Sequence, residues 1–200
     1  EIDRHLSKVS HERLEDVCAL ILPHAGYRWS GPTAAHAVEQ LQRRTFQRVL
    51  VIGPTHRVPL KNVASLPDFT HYATPLGQVA LDRPFIAELL KHPEFQNIPS
   101  AHEDEHSVQI ELPFLQRVLE DFQFVPIVVG ELDRPTMRAM GRILCGLIDS
   151  RTLVVASSDF THYGADFAYV PFTDDVPNGL KRLDQGALDP LCNRDLDGLF

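Results

Sequence analysis

Four histidines lie in short, turn-like stretches of this sequence, and three of them directly follow apolar runs. His24 lies in PHAGYRWSG, His56 in GPTH and His162 in SSDFTHYG, whereas His106 lies in EDEHS. Apolar runs of Val, Ile and Leu are typical of buried strands, and the loops at the carboxyl ends of such strands carry binding and catalytic groups in α/β proteins. Imidazoles in these positions indicate a metal site or an acid–base centre.

His24 and His56 are the first candidate pair. Pro23 ends the run before His24, and Gly53 and Pro54 end the run before His56. If both runs are strands of one parallel sheet, both rings reach the same edge of that sheet. Either histidine alone is compatible with a loop residue that hydrogen-bonds to nearby backbone. The pair together favours a metal site.

Asp159 and His162 form a second candidate group, three residues apart. In a helical loop these positions share a face, and a carboxylate beside an imidazole raises its pKa and orients its proton, as a general acid or base requires. The alternative is an Asp159 that caps a turn and an exposed His162. Glu105 and His106 lie at a predicted helix start, where capping also favours an acidic residue.

The remaining histidines carry less information. We expect four of these histidines to be structural or solvent-facing: His5, His11, His36 and His92. The sequence does not decide the role of His71 or His102. The chain contains no GxxxxGK[ST], GxGxxG, HExxH or GxSxG motif. Nucleotide binding, zincin proteolysis and α/β-hydrolase chemistry therefore lose their main support.

The histidines need elements that bring them together, and four apolar, β-branched runs supply these. The predicted strands are Asp16 to Leu22, Arg48 to Ile52, Phe122 to Val129 and Thr152 to Ala156. Because these runs lack polar alternation, both faces of the sheet should be covered. The pattern predicts an α/β fold with a central, mostly parallel or mixed sheet flanked by helices.

Apolar residues at helical spacing separate the strands. The first helix is expected to have Ser30 as its N-cap, Pro32 in its first turn and its end near Arg44. Further helices are predicted from His106 to Glu120, bent at Pro113, from Pro135 through Leu147 with its apolar side chains facing inward, and from Pro177 onward. Asn62 to Leu81, with a turn signal at Pro75 to Gly77, should form short strands or a hairpin at an edge of the sheet.

The composition restricts the class of protein. A chain of 200 residues should form one domain, and a net charge of -8 argues against nucleic acid and anionic membranes as partners. The apolar runs are too short to span a bilayer, and the charged start is unlike a secretory signal, so we expect a cytoplasmic location. The three cysteines are too scattered for a disulfide framework, and we expect Cys18 and Cys145 to be buried thiols.

Taken together, the motifs are typical of one family. In chain order they are PHAGYRWSG, GPTH, DEHSVQIELPFL and SSDFTHYG, followed by YVPFTDDVPNGLKRLD. From about Leu20 to its last residue, the chain resembles the Memo-like proteins, known in bacteria as AmmeMemoRadiSam system protein B. The resemblance implies a Memo-like domain over residues 1–200 and a fold similar to the catalytic subunit of class III extradiol dioxygenases.

The resemblance also implies roles for individual residues. By motif match, His24 and His56 correspond to the two histidines that bind iron or copper in this family. His162 corresponds to the acid–base histidine of the dioxygenases, and Asp159 accompanies it. The pocket, or the shell behind the ligands, is expected to contain His106, Glu105 and Tyr27.

Parts of the family pattern have no counterpart in this sequence. The family's third ligand is a cysteine in a CGRxP-like stretch, which we expect beyond Phe200, so Cys192 is not expected to be that ligand. The family's usual N-terminal segment is also expected to be missing. The family order EHSxExQLPF appears as EHSVQIELPF, in which Gln109 and Glu111 exchange residue types. We therefore expect a weak, solvent-exposed site with two histidines.

Three functions are compatible with these residues. The first is a metal-dependent redox protein or oxygenase in which His24 and His56 bind iron or copper and His162 moves protons. The second is a binding module that captures a peptide, a small molecule or an anion without turnover, with help from the helix N-terminus after Ser30. The third is metal-assisted hydrolysis. The sequence leaves the substrate, the physiological metal and the oligomeric state open.

Overall fold

The computed structural model describes residues 1–10, 12–195 and 197–199, so His11 lies outside the described residues. The helices are α1 (Ile2–Leu6), α2 (Tyr27–Glu39), α3 (Arg83–Leu89), α4 (Leu112–Val118), α5 (Arg134–Leu147) and α6 (Val176–Asn193). The strands are β1 (Ala19–Leu22), β2 (Arg48–Pro54), β3 (Ala64–Leu66), β4 (His71–Thr74), β5 (Gly77–Ala80), β6 (Phe95–Asn97), β7 (Gln123–Val129) and β8 (Thr152–Ser157). Short 3-10 turns occur at Pro99–Ala101 and Ala165–Phe167.

Six strands form one mixed sheet in the order β1-β8-β2-β7-β3-β6. The first four are parallel to one another, whereas β3 runs antiparallel to β7 and pairs with β6 in parallel. Consecutive residues Val49, Leu50 and Val51 of β2 are all buried, so both faces of the sheet are covered there. The predicted α/β fold with a mostly parallel, mixed sheet is confirmed. The likeness to the dioxygenase subunit stays a prediction.

The order of the strands decides where the helices lie. The β1-α2-β2 connection crosses β8 in one direction, and the β7-α5-β8 connection crosses β2 in the opposite direction. Because such crossovers are right-handed, α2 and α5 cover opposite faces of the sheet. Helices α1 and α4 pack against α2 on its face. The carboxyl ends of β1, β8, β2 and β7 consequently share one edge.

The predicted strand positions agree closely with the structure except at β1. This strand starts at Ala19, three residues after the predicted start at Asp16. Asp16 has a φ of 50°, which lies in the left-handed region and is incompatible with extended backbone. The local backbone therefore shortens the first strand.

The prediction of Ser30 as a helix N-cap was wrong. Helix α2 begins at Tyr27, because the carbonyl of Gly26 accepts the first helical hydrogen bonds, and the Ser30 hydroxyl donates to the carbonyl of Ala25 at 2.8 Å. Pro32 thus lies inside the helix, where its missing N–H removes one helical hydrogen bond. The helix ends at Glu39, and turns rather than helix lead towards residue 44.

The prediction of one helix from His106 to Glu120 was also wrong. Residues 107–111 form turns, and α4 spans only Leu112–Val118. Pro113 lies in the first turn of α4, where the N–H that proline lacks has no helical partner. The proline therefore starts the helix instead of bending it.

The segment from 62 to 81 combines both predicted forms. Strands β4 and β5 make a hairpin whose turn follows Thr74 and ends at Gly77, as the Pro75 to Gly77 signal indicated. Gly77 has a φ of 122°, a conformation that favours glycine. Strand β3, in contrast, lies within the main sheet between β7 and β6, so the segment does more than cover an edge.

Cys18 and Cys145 are exposed, which corrects their prediction as buried thiols. Cys18 directly precedes β1, the outermost strand of the sheet. In the described chain, Met140 is the one buried residue of α5. Cys145 follows it by five residues and therefore lies about 140° around the helix from it. The other apolar residues predicted to face inward from α5 are half-buried: Met137, Ile143, Leu144 and Leu147.

Contacts divide the chain into two compact units, Glu1–Ser158 and Asp159–Phe200. The first unit contains both sheets and α1 to α5. The second contains α6, which confirms the helix predicted from Pro177, and a loop in which the Tyr163 hydroxyl donates to the Phe172 carbonyl at 2.6 Å. The prediction of a single domain over residues 1–200 stays a prediction. Among the described residues, every helix is too short or too polar to cross a bilayer.

Candidate metal centre

The candidate site lies at the carboxyl edge of the parallel strands in the first unit. His24 follows the end of β1 by two residues, and His56 follows the end of β2 by two residues. Ser157 ends β8, which lies between these strands. Open α/β sheets bind ligands at such an edge where neighbouring connections leave in opposite directions. The fold therefore brings together the two histidines predicted as metal ligands.

Three imidazole rings form a cluster at this edge. The ring centroids lie 5.2 Å apart for His24 and His56, 5.8 Å for His24 and His106, and 4.6 Å for His56 and His106. Two imidazoles on one ion, with metal–nitrogen distances near 2.1 Å, place their centroids roughly 4.5–5.5 Å apart. The spacing of His24 and His56 therefore fits a shared ion, whereas His24 and His106 lie further apart than this range. His24 is buried, whereas the side chains of His56 and His106 are 39% and 46% exposed, so the expected solvent exposure applies to two of the three rings.

Glu105 is fully buried and connects the cluster through hydrogen bonds. Its carboxylate accepts the backbone N–H groups of His56, His106 and Ser107 at 2.5, 2.8 and 2.9 Å. It also lies 2.9 Å from Nδ1 of His56 and 3.4 Å from Nδ1 of His106. Since a carboxylate accepts, His56 donates its Nδ1 proton, and its lone pair is on Nε2.

These hydrogen bonds also decide the charge of Glu105. Burial by itself raises the pKa of this carboxyl, because it penalises the ionised form. The N–H groups of Ser107 and His56, together with the His56 ring, outweigh burial and lower the pKa to about 2. Glu105 is therefore ionised under physiological conditions.

Distance alone makes Glu105 a candidate ligand. Ligand atoms of His56, Glu105 and His106 lie within 4.8 Å of one another. Oε1 of Glu105, however, already accepts hydrogen bonds from the backbone of His106 and Ser107 and from the His56 ring, and Oε2 accepts the backbone N–H of His56. Carboxylates that receive the N–H of a metal-binding histidine commonly orient the ring without touching the ion. We therefore assign Glu105 as the positioning residue of His56.

Ser157 orients His24 in a similar way. Its hydroxyl lies 2.9 Å from Nδ1 of His24, 2.6 Å from the Ser107 carbonyl and 2.9 Å from a carboxylate oxygen of Glu111. The single hydroxyl proton serves one of the two oxygens, so His24 donates its Nδ1 proton to the hydroxyl. This tautomer puts the lone pair of His24 on Nε2.

Gly53 lets the loop that carries Glu105 approach the sheet. A Cβ atom at this position of β2 would lie 2.7 Å from the hydroxyl of Ser107 and 3.0 Å from a methyl group of Val108. The Ser107 hydroxyl in turn donates to the Pro54 carbonyl at 2.7 Å. The missing side chain of Gly53 therefore helps to place Glu105 beside His56.

Tyr27 contacts the segment before α4. Its hydroxyl donates to the Ile110 carbonyl at 2.7 Å, and its ring packs edge-on against Phe114 with centroids 5.3 Å apart. Burial, with a smaller contribution from the charge of Glu111, raises its pKa. A Tyr27 hydroxyl that keeps its proton supports the wall of the site as a structural donor.

His102, which the sequence left undecided, is a buried core residue. Its Nδ1 lies 3.2 Å from the hydroxyl of Tyr72, and its ring packs against Phe69. Burial lowers the pKa of His102 to about 4, although a hydrogen bond with the Ser65 backbone and the charge of Glu105 partly oppose this. The imidazole is therefore neutral near pH 7.

Asp159 and His162 lie close together in the second unit. Nε2 of His162 is 3.5 Å from a carboxylate oxygen of Asp159, in a stretch without helical structure. The His162 side chain is 53% exposed and packs against Phe167. The predicted proximity of the pair is therefore present without the helical turn that was expected to create it. Its role in proton transfer stays a prediction.

Sequence reasoning did not single out Ser157, Ser107 or Glu111, which hold His24 in place. A signal existed for Ser157, because it is the first polar residue after the apolar run of β8 and hence lies at the carboxyl edge. The contacts of Ser107 and Glu111 with Ser157 join residues about 50 positions apart, so local patterns do not reveal them.

The chain is similar to known proteins over most or all of its length. The model of the Memo-like protein family matches residues 1–200. A MEMO1 family protein of Pyrococcus abyssi is 32% identical, over 100% of this chain and 72% of its own length. Protein MEMO1 of Mus musculus is 34% identical over 84% of this chain and 59% of its own length.

A second animal relative gives a similar result. The protein memo-1 homolog of Caenorhabditis elegans is 35% identical over 86% of this chain and 51% of its own length. The chain thus spans about half to three quarters of the length of these relatives. The full-length family match and the identity to the archaeal relative show that this chain belongs to the Memo-like family.

Proposed function

We propose that this chain holds non-haem iron or copper through His24 and His56 and supports redox or oxygenase chemistry there. The observation that carries the proposal is the orientation of the two rings. Each donates its Nδ1 proton to a buried partner, Ser157 or Glu105, and has its lone pair on Nε2. This arrangement of outer hydrogen bonds is typical of metal-binding histidines.

The donor set also limits the choice of ion. Imidazole nitrogens suit iron, copper and zinc, whereas calcium and magnesium prefer oxygen ligands. The third ligand that the family resemblance implies is a cysteine, and a thiolate favours soft ions such as Cu(I). A bound redox-active ion would supply electron transfer to an organic substrate or dioxygen.

His106 has a different role from the other two rings in this proposal. It stacks on His56 at an interplanar angle of 30° and is partly exposed. Its longer distance of 3.4 Å to Glu105 fixes its ring less firmly than the 2.9 Å contact fixes His56. We assign His106 to the wall of the site, where a small molecule or peptide entering from solvent would contact it.

Proton transfer is assigned to His162. The spacing of 3.5 Å to Asp159 lets the carboxylate orient the imidazole. His162 would accept or return a proton of the substrate. The proposal also includes a cytoplasmic location, with no nucleic acid or membrane as partner.

The test is the metal content of the full-length protein, with iron and copper measured by elemental analysis. We expect the wild type to retain one of these metals, and His24→Ala and His56→Ala to lose it. His71→Ala is the matched control, because His71 is an exposed histidine of the β4-β5 hairpin. A wild type without metal, or histidine variants that retain it as His71→Ala does, would refute the metal site.

Redox chemistry needs a separate measurement. The metal-loaded protein should consume oxygen with a member of a catechol panel, and His162→Ala should keep its metal while this rate falls by about 100-fold or more. If the protein retains metal but consumes no oxygen with any member of the panel, it binds a metal and lacks oxygenase activity. If the protein binds a ligand without any metal, the result would favour the second function, a binding module without turnover.

A further inference from the structure

An open cavity of about 620 Å³ lies beside His56, between the chain segments that follow β2 and β7. Its lining includes apolar side chains and three charged residues, which are Arg57, Lys61 and Glu131. Small-molecule sites typically have volumes of about 300–1,000 Å³, with mostly apolar walls and a few polar groups that fix the ligand. The cavity has the size and composition of such a site.

The walls of the cavity are joined by backbone hydrogen bonds. Thr55 N–H donates to the Val129 carbonyl at 2.8 Å, and Glu131 N–H donates to the Leu60 carbonyl at 2.9 Å. A Cβ atom at Gly130 would lie 2.2 Å from the Leu60 oxygen, so only glycine permits this approach of the two segments. The cavity is therefore formed before any ligand enters.

Charge distinguishes this cavity from the rest of the protein. The chain carries a net charge of -8, whereas the cavity has two cations and one carboxylate. Within the described residues, neither Arg57 nor Lys61 has an acidic side chain within the 4.0 Å of an ion pair. Lys61 helps to lower the pKa of the nearby Asp133 carboxyl, so the charge of Lys61 is partly compensated. Arg57 is the cation that is left for a ligand. Because salt screens charges beyond about 8–10 Å, Arg57 acts on a ligand in the cavity more strongly than the distant acidic surface does.

His56 connects the cavity to the metal centre, because this residue lines the cavity and its ring belongs to the histidine cluster. The apolar residues Val58, Leu60 and Val129 line the same cavity as the cations. The geometry points to a small organic anion, a carboxylate with an apolar body, as the class of substrate. Its charged end binds at Arg57 and Lys61, and its body lies on the apolar wall beside His56. This inference rests on the proposed metal function of His56.

The test compares 3-phenylpropanoate with its neutral isostere 3-phenylpropanamide on the metal-loaded, full-length protein by calorimetric titration. We expect the acid to bind about tenfold more tightly than the amide, equivalent to about 1.4 kcal/mol. The double variant Arg57→Gln/Lys61→Gln should reduce this ratio to near one. Lys91→Gln/Arg142→Gln is the matched control, because it also removes one lysine and one arginine. Both positions are exposed; Lys91 follows the end of α3, and Arg142 lies on α5. It should keep the ratio of the wild type.

Equal affinities for acid and amide in the wild type would overturn the inference, as would a preference that persists in Arg57→Gln/Lys61→Gln. A persistent preference would mean that the acid binds elsewhere, for example directly to the metal. Metal content measured on the same samples separates the two proposals. Loss of metal in the wild type with a retained acid preference refutes the metal function alone, whereas retained metal without the preference refutes the anion site alone.

Discussion

Replacing Glu105 by glutamine removes the charge of a fully buried carboxylate but keeps its shape. The two oxygens accept four hydrogen bonds, from the backbone of His56, His106 and Ser107 and from the His56 ring. In glutamine an NH₂ group takes the place of one oxygen, so at least one donor faces another donor. The substitution therefore breaks the network at one or more points.

The pKa of Glu105 sets the size of the effect. It falls from its ordinary value of 4.5 to about 2, which at 1.36 kcal/mol per unit gives an upper limit of about 3 kcal/mol for the stabilisation of the charged form. We expect Glu105→Gln to lower the free energy of unfolding by about 2–3 kcal/mol at pH 7, and the urea midpoint by about 1 M. Glu103→Gln, the same change at an exposed position, should cost less than about 0.5 kcal/mol.

The pH dependence gives a second measure of the same network. Because the pKa of Glu105 is lower in the folded than in the unfolded chain, its contribution is complete above about pH 4.5 and is lost as the pH falls towards 2. The difference in free energy of unfolding between the wild type and Glu105→Gln should therefore shrink across this window.

Metal affinity measured by competition with a chelator distinguishes positioning from stability. Loss of an outer hydrogen-bond partner typically costs 10–100-fold in affinity, so Glu105→Gln should weaken binding by about this factor while Glu103→Gln does not. A Glu105→Gln protein as stable as Glu103→Gln, with unchanged metal affinity, would refute the assignment of Glu105. Complete loss of metal from a folded variant would instead make Glu105 a ligand.

Three further substitutions test the site and its support. Ser157→Ala removes the acceptor of the His24 Nδ1 proton and the donor to one of two buried oxygens. It should cost about 1–3 kcal/mol by urea unfolding, with a 10–100-fold loss of metal affinity. Gly53→Ala forces its Cβ to within 2.7 Å of a hydroxyl and should cost about 1–3 kcal/mol, whereas Gly141→Ala, in open space on α5, should stabilise by about 0.5–1 kcal/mol. His102 has a lowered pKa of about 4, so the wild type should lose up to about 3 kcal/mol as the pH falls from 6.5 to 4. His102→Gln should remove this loss, and the exposed control His71→Gln should not.

The strands and the placement of two histidines followed from local pattern. Continuous apolar, β-branched runs predicted β2, β7 and β8 closely, because a strand that is buried on both faces needs apolar residues at successive positions. Since parallel strands end at a common edge, His24 and His56 were expected to meet, and their rings do.

Helix boundaries and thiol exposure were predicted less well. Helix α2 starts at the carbonyl of Gly26, and α4 starts just before Pro113, because turns stabilised by distant contacts decide where helical backbone begins. Cys18 is exposed because β1 is the outermost strand, and strand order is not encoded in the apolar run itself. These errors arise where neighbours in space, rather than in sequence, decide the outcome.

The sequence by itself determined the α/β class, the family resemblance and the histidines at the ends of strands, because each depends on residue types at short range. Only the tertiary structure decided that β8 lies between β1 and β2, so that Ser157 reaches His24, and that the loop at Ser107 packs on Gly53, so that Glu105 reaches His56. The physical reason is that these contacts join residues about 50 to 130 positions apart, and their hydrogen-bond geometry exists only once the sheet has assembled.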